Sequence, residues 1–197
     1  MSVAEKNNLL PEKGEVNLYP AFFSVAESDR YLRCCLNDIP WEQRPVKLFG
    51  KIIPQPRLTA SFADPGTEYG YSGVELQSSD WNEELLEIKK RAEAFSGFQF
   101  NTALLNLYRD GRDYMGWHRD NEKDLGIDPA IISVSFGVER KFQLRLYKEK
   151  TDLITVLLKH GDLLIMKGET QKFWEHLLPK ATAISSPRIN ITFRKVL

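Results

Sequence analysis

The stretch Arg188-Ile189-Asn190-Ile191-Thr192-Phe193-Arg194 decides the fold of this chain. Apolar and polar residues alternate along it, which is typical of a β-strand whose two faces meet different surroundings. One face carries the apolar residues and the other carries Arg188, Asn190, Thr192 and Arg194. An ordinary half-exposed strand has the same alternation. Paired arginines also suit an anion inside a barrel, because a guanidinium group binds a carboxylate through two parallel hydrogen bonds.

Short β-rich runs fill the chain from Phe98 up to this strand. They cover residues 98–108, 131–136, 141–147, 153–158, 162–167 and 173–178, and the run with the arginines extends over 188–196. Turn signals such as Asp110-Gly111 and His160-Gly161 separate some of them. We therefore predict a β-sandwich or jelly roll with helices packed on its outside.

The first of two predicted helices begins near Ser24. Ser24 and Glu27 form a capping box, and the helix is expected to run to about Leu36, with Pro40 beyond its end. The residues at the start of the chain, 1–16, are expected to form a loose tail.

The second predicted helix begins near Asp80, which forms a box-like start with Glu83. Apolar residues follow at helical spacing as far as Phe95, and Gly97 ends the run. Residues 46–71, between the two helices, are expected to be extended and interrupted by prolines.

The segment His118-Arg119-Asp120 carries a second signal. In an extended segment His118 and Asp120 project to the same side, and one imidazole with one carboxylate, completed by a distant histidine, matches the facial triad of non-haem iron oxygenases. The chain has 3 histidines, so the third ligand is His160 or His176. His160 stands at a predicted turn, whereas His176 lies on a short apolar strand ahead of the arginine strand. We favour His176 and keep His160 as the alternative.

Composition limits the classes of protein to which the chain can belong. Hydrophobic residues make up 42%, which is typical of a globular protein, and no stretch approaches the roughly 20 apolar residues of a membrane span. The formal net charge is +0, so contact with a nucleic acid would depend on a local basic patch. The adjacent Cys34 and Cys35 are expected to be reduced packing thiols of a cytosolic protein.

The order and local sequence of these motifs resemble the AlkB family of iron(II)- and 2-oxoglutarate-dependent dioxygenases. The resemblance rests on the closing stretch from Pro187, on Asn106-Leu107-Tyr108 ahead of the histidine–aspartate motif, and on Ile132-Ser133-Val134-Ser135-Phe136-Gly137 after it. It covers the chain from about Val46 to Leu197. It is closest to the branch that contains the animal double-strand and single-strand DNA repair enzymes.

The resemblance implies a mainly β (α+β) fold with flanking helices. Its core would be a double-stranded β-helix, or jelly roll, with an N-terminal nucleotide-recognition extension. It implies a single dioxygenase domain over residues 1–197. After the tail, residues 17–97 would form helices and a substrate-recognition lid, and residues 98–197 would form the catalytic core.

The resemblance also implies the residues of the site. His118, Asp120 and His176 would hold iron(II). The 2-oxoglutarate pocket would consist of residues from two strands: Asn106, Tyr108, Arg188, Asn190 and Arg194. Arg188 would bind the distal carboxylate of 2-oxoglutarate and Arg194 the carboxylate next to the keto group. Asn106 and Tyr108 are two residues apart and so share one strand face, although a polar pair at a strand end has the same spacing.

Five further residues would contact the substrate by the same resemblance: Phe49, Arg57, Tyr69, Tyr71 and Glu122. A flipped base would lie between Tyr71 and His118, Glu122 would face its edge, and Phe49 would enter the duplex as a wedge. Core packing of the tyrosines and of Phe49, and a solvated carboxylate at Glu122, are the alternatives. Asn121 stands where close relatives often carry an aspartate, which leaves the anchor of Arg57 open.

The implied activity is oxidative dealkylation of N-alkylated bases such as 1-methyladenine and 3-methylcytosine in single- or double-stranded DNA. It would use iron(II), O2 and 2-oxoglutarate, and would release formaldehyde, succinate and CO2. The protein is expected to be a monomer without a membrane partner, in the cytoplasm or, in a eukaryote, the nucleus. Alternatives are a related oxygenase acting on RNA, a protein, a lipid or a small molecule, and a jelly-roll module that binds without catalysis.

Overall fold

The structure of the protein is a computed structural model that describes residues 8–48, 51–67, 69–71, 74–76 and 78–197. The side chains of residues 46–48, 51, 69–71 and 74–76 lie outside this description. Two antiparallel β-sheets dominate the described part of the chain, and helices pack beside them.

The larger sheet has 6 strands, in the spatial order β1 (Glu15–Tyr19), β12 (Leu163–Lys167), β9 (Ile131–Gly137), β14 (Arg188–Arg194), β7 (Thr102–Tyr108) and β4 (Leu58–Ala63). The smaller sheet has 4 strands, in the order β11 (Ile154–Leu158), β10 (Arg140–Leu146), β13 (Trp174–Leu178) and β8 (Met115–His118). Two hairpins pair β2 (Pro45–Leu48) with β3 (Lys51–Pro54) and β5 (Tyr69–Tyr71) with β6 (Val74–Leu76). The helices are α1 (Val25–Asp38), α2 (Glu83–Ser96) and α3 (Thr170–Phe173), with a 3₁₀ turn at Lys123–Leu125. The predicted mainly β class with flanking helices and a jelly-roll core is confirmed.

The two faces of strand β14 meet different parts of the protein. It lies between β9 and β7, and its residues Ile189, Ile191 and Phe193 belong to one buried cluster with Tyr31 of α1 and Ile88 of α2. Burying each large apolar side chain contributes roughly 1.5–3 kcal/mol. The polar residues of the strand face the space between the two sheets, where they line a cavity. The strand is therefore fixed through one face and offers the other face for chemistry.

The predicted capping box at the start of α1 is confirmed. Ser24 Oγ accepts a hydrogen bond from Glu27 N at 3.3 Å, and Glu27 Oε2 accepts one from Ser24 N at 2.9 Å. The helix ends at Asp38, two residues ahead of Pro40. Two N–H groups at this helix start are thereby satisfied.

The predicted start of α2 at Asp80 is wrong. The cap is Asn82, whose Oδ1 accepts a hydrogen bond from Leu85 N at 2.8 Å. The chain before it is held extended, because Ser79 N donates to Ser61 O of β4 at 2.8 Å. At the other end, Gly97 has a φ of 77°, the left-handed conformation that ends a helix, as predicted.

The predicted loose tail is wrong for residues 8–16, and residues 1–7 lie outside the described part. Leu10 and Val16 are buried in an apolar cluster to which both sheets contribute. Asn8 Oδ1 accepts hydrogen bonds from Leu10 N at 3.1 Å and Val16 N at 2.8 Å. Strand β1 then pairs with β12 from Glu15 onward. The segment is ordered because its few apolar residues complete a cluster that the later strands leave open.

Both cysteines of α1 are free thiols, as predicted. Burial raises the pKa of Cys35 to about 12, so this thiol stays protonated and unreactive. Among the described residues, no helix combines the length and the apolar character that a membrane crossing needs.

Candidate active site

Three predicted ligands meet on the inner face of the smaller sheet. His118 ends β8, His176 lies opposite it on β13, and Asp120 follows two residues after β8. Asp120 Oδ1 is 3.9 Å from His118 Nε2, and Asp120 Oδ2 is 3.9 Å from His176 Nε2. One ligand atom from each residue fits within 4.8 Å of the others. Two imidazoles and one carboxylate in this arrangement suit a divalent transition metal such as iron(II).

The alternative ligand His160 lies elsewhere. Its Nδ1 accepts a hydrogen bond from Gly137 N at 2.9 Å, and its Nε2 is 3.2 Å from Asp29 Oδ1. The imidazole therefore ties the end of β9 to α1. Among the described residues, the cluster of metal-ligating side chains contains His176 and not His160.

Burial keeps both imidazoles of the cluster neutral. It is the main cause that lowers the pKa of His176 to about 3, with His118 adding to the effect. Burial also lowers the pKa of His118. His118 Nδ1 is 2.9 Å from Gly116 O, so the proton lies on Nδ1 and the lone pair of Nε2 faces the cluster. Two neutral imidazoles, of which His118 has its tautomer fixed by Gly116, are ready to bind a cation.

Asp120 is held as an ionised carboxylate. Burial alone would raise the pKa of its carboxyl, but Arg194 and the two imidazoles outweigh burial and hold that pKa well below its usual range. Arg194 Nη2 lies 3.0 Å from Asp120 Oδ1. The backbone N of Asp120 donates to Gln171 Oε1 at 2.9 Å, and this glutamine is itself buried. Arg194 thus orients the carboxylate, and Gln171 fixes the backbone that carries it.

A cavity between the two sheets adjoins the cluster. It has about 480 Å³ of empty space, including its open mouth. Its wall includes the predicted co-substrate residues of β7 and β14 together with the three ligands: Asn106, Tyr108, His118, Asp120, His176, Arg188, Asn190 and Arg194. The structure therefore gathers residues from distant parts of the sequence in one cavity.

Arg188 lies in this cavity without an acidic partner among the described residues. It is 2% exposed, and its Nη2 donates to Ser135 Oγ at 2.9 Å. Its Nε has no hydrogen-bond partner there. Burial lowers the pKa of Arg188 to about 10, which still leaves it charged at neutral pH. A buried charge is costly unless something pairs with it, so this guanidinium suits a carboxylate ligand.

The anchor of Arg57 is Asn106 rather than residue 121. Arg57 Nε donates to Asn106 Oδ1 at 2.7 Å, and both side chains are buried. The pairing of β4 with β7 places Thr59 opposite Asn106, which brings the start of β4 to the cavity. Asn121 is exposed. An amide acceptor therefore orients this arginine.

Asn190 is committed to the wall of the cavity. Its Nδ2 donates to Ser133 Oγ at 2.7 Å, and its Oδ1 accepts a hydrogen bond from Thr192 Oγ1 at 3.0 Å. With both ends of its amide engaged, this side chain shapes the cavity between the two arginines of β14.

The remaining predicted substrate residues are described to different degrees. Glu122 is half-buried at the start of the 3₁₀ turn, and its Oε2 has no hydrogen-bond partner among the described residues. Burial, followed by the charge of Asp120, raises the pKa of Glu122. The backbones of Tyr69 and Tyr71 form β5, but their side chains lie outside the described part. Phe49 lies outside the described residues altogether.

Sequence reasoning missed the side chains that support the functional ones. Ser133 and Ser135 alternate with apolar residues on β9, and this alternation is a signal that could have placed them in the cavity. Gln171 and Arg140 had no such signal, because each bonds to a segment distant in the sequence.

Comparison with known proteins places the chain among oxygenases. Residues 15–194 match the model of the 2OG-Fe(II) oxygenase superfamily. Human alpha-ketoglutarate-dependent dioxygenase alkB homolog 3 is 39% identical over an alignment of 193 residues that covers 92% of this chain and 66% of that protein. The bovine DNA oxidative demethylase ALKBH2 is 34% identical over 190 residues, which cover 91% of this chain and 68% of that protein. The chain thus spans about two thirds of the length of these relatives.

A solved structure supports the fold. The structure of OsALKBH1 superposes with a TM-score of 0.65 at 19% sequence identity. The match covers 91% of this chain and 97% of that chain. At this identity the likeness concerns the arrangement of the strands.

Proposed function

The chain belongs to the AlkB family of the 2OG-Fe(II) oxygenase superfamily, and we propose from this premise that it is an iron(II)- and 2-oxoglutarate-dependent dioxygenase that removes alkyl groups from nucleic-acid bases by oxidation. One observation carries the proposal. Arg188, a buried cation without an acidic partner among the described residues, shares a cavity with the two imidazoles and Asp120. A metal and a carboxylate-bearing co-substrate therefore fit side by side.

The metal would be held by Nε2 of His118, Nε2 of His176 and the carboxylate of Asp120. This donor set is the 2-His-1-carboxylate triad that leaves positions open for other ligands. When bound, iron(II) with O2 and 2-oxoglutarate supplies the oxidising chemistry, in which the co-substrate becomes succinate and CO2 and the N-alkyl carbon leaves as formaldehyde. The chain contributes the ionised state of Asp120, the neutral state of the imidazoles and a site shielded from bulk water.

The co-substrate would lie along β14. Arg188 would bind the distal carboxylate, beside the ring of Tyr108, whose centroid is 5.5 Å from Arg188 Cζ. Arg194, which already contacts Asp120, lies at the metal end of the strand and would meet the carboxylate next to the keto group. Asn106 would complete the wall between them. Two arginines would thus hold a dianion at both of its ends.

The base would enter next to His118. A base inside a duplex cannot reach buried iron, so it must be flipped out, at a cost of roughly a few kcal/mol that is least for a damaged base. Glu122 offers a carboxylate oxygen without a donor among the described residues. Methylation at N1 of adenine or N3 of cytosine gives the base a positive charge and leaves its exocyclic amino group as a donor. These features favour 1-methyladenine and 3-methylcytosine as substrates, with Arg57 held beside the cavity by its hydrogen bond to Asn106.

The test is a repair assay. The protein is incubated with iron(II), 2-oxoglutarate and oligonucleotides that carry 1-methyladenine or 3-methylcytosine, as single-stranded DNA, duplex DNA and RNA. We expect formaldehyde and the unmodified base in proportion to succinate. Succinate formation that no methylated oligonucleotide increases would assign the protein to another substrate class.

Replacing Tyr71 by alanine is expected to lower repair by about 5- to 150-fold, because stacking on a base contributes roughly 1–3 kcal/mol. Succinate formation without nucleic acid is expected to continue at nearly the wild-type rate. Tyr71→Phe keeps the ring and is the matched control. If Tyr71→Ala reduces both activities equally, the tyrosine supports the fold instead of the base.

Replacing Phe49 by alanine is expected to reduce repair in duplex DNA selectively. An apolar wedge fills the space that a flipped base vacates, and single-stranded DNA has no such space. The measurement compares one lesion in both strand contexts, with Val25→Ala, an exposed apolar residue at the start of α1, as control. Equal loss in both contexts, or a large fall in melting temperature, would place Phe49 in the core.

We also propose a monomer that works in the cytoplasm or, in a eukaryotic cell, in the nucleus. The formal net charge of +0 means that nucleic-acid binding depends on local cations such as Lys47 and Lys51 beside Phe49. Sedimentation with and without a methylated oligonucleotide tests the monomeric state.

A further inference from the structure

Arg140, the first residue of β10, is a buried arginine outside the predicted site. It is 1% exposed, and no acidic side chain of the described residues forms an ion pair with it. Its guanidinium instead donates to three backbone carbonyls. Nη1 is 3.3 Å from Asp110 O, and Nη2 is 2.9 Å from Asp113 O and 2.7 Å from Pro179 O. A buried charge without a counter-ion is costly, so a contribution to stability alone explains it poorly.

The three carbonyls belong to two different loops. Residues 109–114 connect β7 to β8, and residues 179–187 connect β13 to β14. The loops also bond directly, since Gly111 N donates to Ile184 O at 2.8 Å and Ala181 N donates to Gly111 O at 2.7 Å. A Cβ on Gly111 would lie 1.8 Å from Ala181 O, so the loops are in close contact. Arg140 closes this junction from a third element, the smaller sheet.

Each strand that enters or leaves the junction carries a residue of the candidate site. Strand β7 ends with Tyr108 and β14 begins with Arg188, and both flank the junction. Strand β8 runs from the junction to His118, and strand β13, which carries His176, runs into it. The junction thus joins the end of the cavity that carries Tyr108 and Arg188 to the end that carries the metal ligands.

Arg140 also lies close to Tyr108 and, through its ring, to Arg188. Its Cζ is 5.8 Å from the centroid of the Tyr108 ring, and Arg188 Cζ is 5.5 Å from the same centroid. Tyr108 therefore contacts two buried guanidinium groups. Both groups keep their charge close to the place where a dianion would bind.

We propose that Arg140 is a positioning residue for 2-oxoglutarate. It holds Tyr108 and Arg188 in register with the metal ligands and adds a second positive charge behind the ring of Tyr108. Arg140 acts through these two residues and does not itself contact the co-substrate. The inference rests on the proposed function, in which Arg188 binds the distal carboxylate.

The experiment compares Arg140→Lys, Arg140→Met and the control Lys141→Met. Lys141 is the next residue of β10 and is exposed, so its replacement removes the same charge without touching the junction. Calorimetry on protein loaded with Mn(II), without oxygen, gives the Kd of 2-oxoglutarate. The same titration with 2-oxobutyrate, which lacks the distal carboxylate, measures the affinity that the metal end of the cavity provides alone. Mn(II) affinity and melting temperature are measured for every variant.

We expect Arg140→Lys to raise the Kd of 2-oxoglutarate about tenfold and Arg140→Met about 100-fold, the range for losing hydrogen bonds to a charged group. Binding of 2-oxobutyrate and Mn(II) is expected to stay within about threefold of wild type, because the metal end is held by other contacts as well. In the repair assay, Arg140→Lys should raise the KM for 2-oxoglutarate and leave kcat nearly unchanged. Lys141→Met should resemble wild type in every measurement.

Two results would overturn the inference. One is a Kd of 2-oxoglutarate within twofold of wild type in Arg140→Lys and Arg140→Met. The other is an equal loss of affinity for 2-oxoglutarate, 2-oxobutyrate and Mn(II), which would make Arg140 a general support of the fold. If Arg140→Met does not fold, the affinities of Arg140→Lys alone test the inference. A wild-type protein that does not bind 2-oxoglutarate would refute the proposed function, and this inference with it, before any variant is compared.

Discussion

Replacing His176 by alanine is expected to abolish turnover, as is the same change at His118 or Asp120. Each removes one of the three ligand atoms that lie within 4.8 Å of one another. The two that remain cannot hold the metal in the geometry that keeps positions open for the co-substrate and oxygen. No other described side chain stands ready to replace the lost one, since the cluster found among the described residues contains these three alone. Repair and substrate-free succinate formation should both fall below detection.

The matched control is His160→Ala. This histidine makes hydrogen bonds to Gly137 and Asp29, so its loss should cost about 1 kcal/mol of stability and leave the metal in place. Titration with Co(II), followed by its visible absorption, measures metal binding without turnover. Loss of Co(II) binding in His160→Ala, with normal binding in His176→Ala, would refute the assignment of ligands.

The features predicted best from the sequence follow a short local pattern or involve a rare residue type. The alternation of β14 is a period-2 pattern with β-branched and aromatic residues on one face, and the structure buries that face as predicted. Only two residues, His160 and His176, were candidates for the third metal ligand, because the chain has only 3 histidines. The capping box of α1 was readable because both of its partners lie within one helical turn.

Features that depend on partners distant in the chain could not be predicted from the sequence. Strand β8 was not predicted, because Met115-Gly116-Trp117-His118 is short and contains a glycine, and it forms by pairing with β13. The bond from Asp120 N to Gln171 joins residues 51 positions apart, and no local pattern encodes it. The anchor of Arg57 depends likewise on the pairing of β4 with β7. Tertiary pairing decided these features, and local propensity had little weight.

Replacing Arg188 by alanine is expected to raise the Kd and the KM for 2-oxoglutarate by roughly 100-fold to several thousand-fold, with the metal still bound. Breaking a buried pair leaves the carboxylate of the ligand without its counter-charge, which typically costs roughly 3–5 kcal/mol. Arg188 is 2% exposed, so its guanidinium would meet the carboxylate largely out of contact with bulk water. Arg188→Lys keeps the charge but loses the fork-shaped pair of donors, and its affinity should lie between wild type and Arg188→Ala.

Melting temperature gives a readout of Arg188 that does not depend on turnover. Without ligand, Arg188→Ala should change the melting temperature little, because relief of a buried charge opposes the loss of packing around it. Wild-type protein should melt at a higher temperature as 2-oxoglutarate is added, since a ligand that binds only the folded state stabilises it by RT ln(1 + [L]/Kd). In Arg188→Ala this increase should vanish over the same concentrations. Arg30→Ala, which removes a surface ion pair between α1 and α2, should keep the full increase. If 2-oxoglutarate raised the melting temperature of Arg188→Ala as much as that of wild type, the distal carboxylate would bind elsewhere in the cavity.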